Sequence, residues 1–154
     1  MRASCLDKKT ISLLRASLDK AGEKLKVAPT LFKNGSYEDA VSRAYYSAFH
    51  AAQALLLTEG LNASTHQGLV NLFGLHLVKT GKFDKKFGRY LANLKDDRET
   101  SDYEVYSTID RKAAKQAVQE AKEFLKTAKE YLLPFLDMRF LGWDNDKDAA
   151  YDKL

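Results

Sequence analysis

Apolar residues along this chain recur at the spacing of helices, and no stretch shows the strict alternation of a half-buried strand. Ile11, Leu14, Leu18, Ala21 and Leu25 follow at intervals of 3, 4, 3 and 4, which draws one stripe down a helix from about Thr10 to Val27. Pro29 stands just past that stripe and predicts the helix end. A second helix starts at Ser36, with Asp39 at capping-box distance, and runs to Gly60 as its C′ residue. It is apolar on nearly every side (Val41, Ala44, Tyr45, Ala48, Phe49, Ala52, Leu55, Leu56), so it belongs at the centre of a bundle. A third is expected from Ser64, with Gln67 as box partner, to Gly81, and a fourth from Asp84 to about Asp97. The fifth starts at Ser107, with Asp110 as box residue, and runs to Leu133, where Pro134 stops it.

Amphipathic helices with short links predict an all-α fold, an antiparallel up-down bundle of four to five helices within residues 1–133. Residues 134–154 form an extension. Phe135, Leu136, Phe140, Leu141 and Trp143 precede its acidic end. A free tail would expose those side chains at a cost, so it is expected to dock on the bundle or on a second copy.

Composition adds bounds. A chain of 154 residues suits one domain. Cys5 is the single cysteine, so no disulfide can form within the chain. Charges at Arg2, Asp7, Lys8, Lys9 and Arg15 leave no signal-peptide core near the N-terminus. No apolar run reaches the ~18 residues of a membrane span. A cytoplasmic protein without membrane contact is the expectation. No glycine-rich phosphate loop, Glu-x-x-His pair or paired-cysteine motif occurs, so neither a metal nor a cofactor is expected. The net charge is +4, and Lys79, Lys82, Lys85, Lys86 and Arg89 form its densest basic stretch. Such a stretch attracts phosphate backbones, or is simply a solvated helix face.

Candidate chemistry lies in polar residues where packing does not want them. Arg43, Tyr46 and His50 are spaced i, i+3, i+7 on the central helix and share a face. They form either a cationic pocket wall or a buried network that fixes helix register. Arg98 lies among Asp97, Glu99 and Asp102. It is either one member of a local ion-pair cluster or a phosphate-binding fork. His66 falls in the first turn of the third helix, where the dipole disfavours its charged form. His76 is ten residues further on.

Four segments, in order, carry a resemblance: SRAYYSAFHAAQALL (42–56), THQGL (65–69), KTGK (79–82) and RETSDY (98–103). With them the chain resembles the HEPN superfamily, in its branch of small stand-alone proteins, over roughly residues 8–133. The resemblance implies a helical bundle that pairs with itself. It implies a toxin-like component of a HEPN/nucleotidyltransferase pair, with metal-independent RNA cleavage or RNA binding. The family signature is an arginine followed a few residues later by a histidine, repeated across a dimer. The arginine carries over to Arg98. The histidine does not, since Tyr103, Glu104 and Val105 stand at the permitted spacings and none follows His76.

The expected catalytic residues are therefore Arg98, Asp102, Tyr103 and His50, with Arg43, Tyr46, His66, Lys79 and Lys82 for binding. His50 or His66 would replace the missing histidine if the bundle brings it to Arg98. Tyr103 or Tyr106 would be a target for modification by the partner. The alternative is a non-catalytic partner of a minimal nucleotidyltransferase, holding a nucleotide or a partner loop. The expected partners are a second copy of the chain, that enzyme, and RNA or a nucleotide.

Overall fold

The computed structural model describes residues 6–103 and 109–136. Among them are five α-helices packed together and no strand: α1 Lys8–Lys33, α2 Tyr37–Leu57, α3 His66–Phe73, α4 Lys85–Tyr103 and α5 Arg111–Leu132. A π-helical stretch, Gly74–Val78, extends α3, and a 3-10 turn, Leu133–Phe135, extends α5.

Local chemistry sets the ends. The Asp7 carboxylate accepts the Thr10 N–H at 2.7 Å and opens α1. Asp110 opens α5 in the same way, accepting from Ala113 at 2.8 Å. Thr65, rather than Ser64, caps α3 by accepting from Gly68 N at 2.9 Å. A Cβ at Gly68 would meet that hydroxyl oxygen at 2.8 Å, so the cap requires glycine there. Ser36 precedes α2 without a capping side-chain bond. Gly60, at φ +70°, stops α2: its N–H reaches Leu57 O, and Leu61 N reaches Leu56 O.

α5 begins at Arg111, with Asp110 as its cap, rather than at Ser107, and two further boundaries differ from the expectation. α1 does not end at Val27 but continues through Pro29 to Lys33. An internal proline costs about 3 kcal/mol. Leu31 and Phe32 offset it by packing on the core, and Phe32 also meets Tyr37 of the next helix at 5.7 Å. α4 runs past Asp97 to Tyr103, so the segment read as a link is helical.

α2 occupies the centre and touches all four other helices. Its Val41, Ala44, Tyr45, Ala48, Ala52 and Leu55 are fully buried. Many are alanines, which lets neighbouring helices approach closely. α1 supplies Leu14, Leu18, Ala21 and Leu25, and α5 supplies Ala114, Ala121, Phe124 and Leu125. Of the extension, Leu136 is buried and Phe135 stacks on Tyr131 at 5.9 Å. Residues 137–154, with the rest of the expected docking segment, lie outside the described residues. No described helix is long and apolar enough to cross a membrane.

Candidate functional site

Three helices bring polar groups to one place. α2 contributes Tyr45 and Tyr46, the first turn of α3 contributes His66, and α4 contributes Arg98. Tyr45 is fully buried, and its hydroxyl is hydrogen-bonded to His66 Nδ1. The imidazole stacks on Phe49 at 4.6 Å and on Tyr45 at 5.6 Å between centroids. It meets Tyr46 edge-on at 6.1 Å. The Arg98 guanidinium carbon lies 5.2 Å from the Tyr46 ring centre and 5.8 Å from that of Tyr45. Arg98 and His66 thus rest against the same two rings.

Asp102, one turn on from Arg98, holds a carboxylate oxygen 3.0 Å from its Nε. That Nε is buried and makes no hydrogen bond, so the pair is Coulombic and off-axis. Of the acids expected around Arg98, only Asp102 pairs with it. Glu99 pairs with Lys95 at 2.7 Å and reaches Arg98 through charge alone. Asp97 is half-buried and is held above the usual carboxylate range by burial, then by the charge of Asp96.

Electrostatics keep the site's imidazoles neutral. His66 is pulled below its ordinary pKa by burial first, then by the positive charges of Arg98 and Lys95, with Glu99 opposing. Burial also lowers His50, against the hydrogen bond its Nδ1–H donates to Gln53 Oε1 and with Lys20 and Lys24 adding to the effect. The Tyr45 phenol is pushed up by burial, although Arg98 pulls the other way, so it stays protonated. A phenol can donate to Nδ1 or accept from Nδ1–H. The first setting leaves Nε2 as a donor and the second leaves it as a base.

The other candidates fall into three places. His50 is bonded to Gln53 at 2.9 Å and lies 6.4 Å from the Tyr46 ring. Arg43 lines a groove between α1 and α2 that Tyr46 also lines. Lys79 and Lys82 lie before α4, and Arg98 is 13 residues beyond its first residue, about 20 Å along the axis. Lys82 is paired with Glu59, and Lys86 with Glu123 at 2.6 Å, so two members of the basic stretch are neutralised at home. Tyr103 is the last residue of α4; its side chain and Tyr106 lie outside the described residues. No group of acids, histidines and cysteines suited to a metal occurs among the described residues.

Sequence reasoning missed Tyr45, Phe49 and Lys95. Tyr45 and Phe49 read as stripe residues of the central helix, and nothing in their spacing marked them as the seat of His66.

Known proteins are similar to this chain in sequence. The family described as the HEPN domain matches residues 14–131. A protein of Methanocaldococcus jannaschii named putative toxin is 37% identical over 126 residues, covering 80% of this chain and 91% of its own length. A second from that organism, also named a putative toxin, is 30% identical over 150 residues, 97% of this chain and 100% of its own. A UPF0332 protein of Thermotoga maritima is 36% identical over 106 residues, 69% of this chain and 80% of its own.

Proposed function

This chain belongs to the HEPN domain family, and from that premise we propose that it is a toxin-like protein that binds RNA at Arg98 and cleaves it without a metal. One observation carries the reading: Arg98 and a neutral histidine, His66, converge on the Tyr45–Tyr46 rings from separate helices. The histidine missing after Arg98 in sequence is replaced by one from α3.

The chemistry is transphosphorylation. The 2′-oxygen of the substrate attacks the adjacent phosphorus, and the bond to the 5′-oxygen breaks. A 2′,3′-cyclic phosphate and a 5′-hydroxyl result, with no water consumed. Arg98 holds the phosphoryl oxygens, and its aromatic seat contributes about 0.5–2 kcal/mol to its placement. Asp102 positions Arg98 from the side, leaving the terminal nitrogens for substrate. Neutral His66 accepts the 2′ proton when Tyr45 is set as its acceptor, and the protonated ring can return a proton to the leaving oxygen.

The test is incubation of the protein with a structured RNA in EDTA, beside Arg98→Ala and His66→Gln. Wild type should leave cyclic-phosphate ends, and each variant should be slower by about 100-fold or more. Intact RNA with all three would sink cleavage. A second reading would then stand, favoured by Tyr103, Glu104 and Val105 where a histidine belongs. In it the pocket is non-catalytic, holds a nucleotide, and serves a nucleotidyltransferase partner.

A further inference from the structure

Resting on the reading of Arg98 as an RNA phosphate site, we propose that the groove between α1 and α2 holds the neighbouring nucleotide of a single-stranded RNA. The groove encloses about 490 Å³ and is lined by Lys24, Val27 and Leu31 of α1 and Asp39, Arg43 and Tyr46 of α2. That volume lies in the range of small-ligand sites.

Three features point to a nucleotide. Continuity comes first. Tyr46 lines the groove, and its ring is the one beneath the Arg98 guanidinium, 5.2 Å away. A strand with one phosphate on Arg98 therefore passes Tyr46 into the groove. Charge is the second. Lys82, Lys86, Lys95 and Arg98 each have a carboxylate partner. Lys24 and Arg43 form no ion pair among the described residues. They are uncommitted cations on the groove wall, and the charge of Lys24, with that of Lys20, already reaches His50.

The third feature is the mixed wall. Val27 is 39% exposed, and with Leu31 and the Tyr46 ring it offers an apolar surface for a base. Asp39 is exposed at the same groove and repels phosphate, but its carboxylate accepts hydrogen bonds from an exocyclic amino group. The base therefore lies toward Asp39 and the phosphate toward Lys24 and Arg43.

The test uses the full chain and a labelled, 2′-O-methylated RNA strand of about 12 nucleotides, which cannot be cleaved. Binding is read by anisotropy across salt for wild type, Lys24→Glu, Arg43→Glu and, as control, Lys115→Glu on the exposed face of α5. Each groove variant should bind about tenfold more weakly and lose about one unit of salt slope. The control should bind like wild type. Arg43→Gln serves if Arg43→Glu fails to fold. Groove variants that match wild type, with Arg98→Ala still weakened, would overturn the groove and leave the Arg98 site standing. Groove-dependent binding without cleavage of unmodified RNA would keep the groove and end the cleavage reading. No binding by wild type would overturn both.

Discussion

Arg98 is a cation placed where it should be costly, and its surroundings explain how the fold tolerates it. Two tyrosine faces lie against it, and a single carboxylate sits beside Nε. The same charge reaches His66, whose pKa it lowers after burial has lowered it more. The sign of the pH dependence follows. The folded ring binds its proton less tightly than the unfolded chain, whose pKa is about 6.5. The stability tied to neutral His66 is complete above that value and is lost as pH falls from it through the folded pKa. His50 behaves the same way. An NMR titration should find His66 below about 6.5. Arg98→Ala should move it up but not all the way, because burial is the larger cause. A wild-type midpoint at or above the ordinary value would contradict this account of the site.

At the scale of elements, the stripes were legible in the sequence because helical periodicity is dictated by burial on one face. The course of α1 past Pro29 was not, because packing by Leu31 and Phe32 outweighs a local penalty. The helical state of residues 98–103 was hidden as well. Six of the nine residues from Lys95 to Tyr103 are charged, which reads as a link, yet Lys95–Glu99 and Arg98–Asp102 are i,i+4 pairs that support a helix. Arg98, Asp102, Tyr46 and His66 could be singled out as polar groups in odd places, but their convergence depends on how α3 and α4 meet α2. The α4–α5 contact holds a further consequence. Glu120 is held above the usual carboxylate range by burial, then by the charge of Asp97, with Gln116 opposing. An acid so raised costs stability once pH exceeds its unfolded value of about 4.3. Glu120→Gln should therefore stabilise the fold slightly at pH 7, by less than about 1 kcal/mol after solvent screening, and leave it unchanged near pH 3. Urea unfolding at both pH values checks this, and a destabilised variant at pH 7 would contradict it.

At the scale of the whole molecule, one chain offers one imidazole beside Arg98, while phosphodiester cleavage by this route uses a base and an acid. A two-fold pair of chains would supply a second His66 and let each play one part, which is the physical case for a homodimer beyond the family resemblance. Light scattering should then give twice the chain mass of 17.4 kDa at micromolar concentration. Mixing separates a shared site from two private ones. Arg98→Ala and His66→Gln homodimers should each be inactive. If each centre draws Arg98 from one chain and a single working histidine from the other, exchange of subunits gives heterodimers with one intact centre, and activity returns to a fraction of wild type; if a centre needs both His66 rings, the heterodimer keeps only one and stays inactive. If each chain holds a complete centre, no exchange restores activity, because every chain lacks one of its own two residues. A monomer at all concentrations would remove the shared site and leave Arg98 and His66 of a single chain to do all the chemistry.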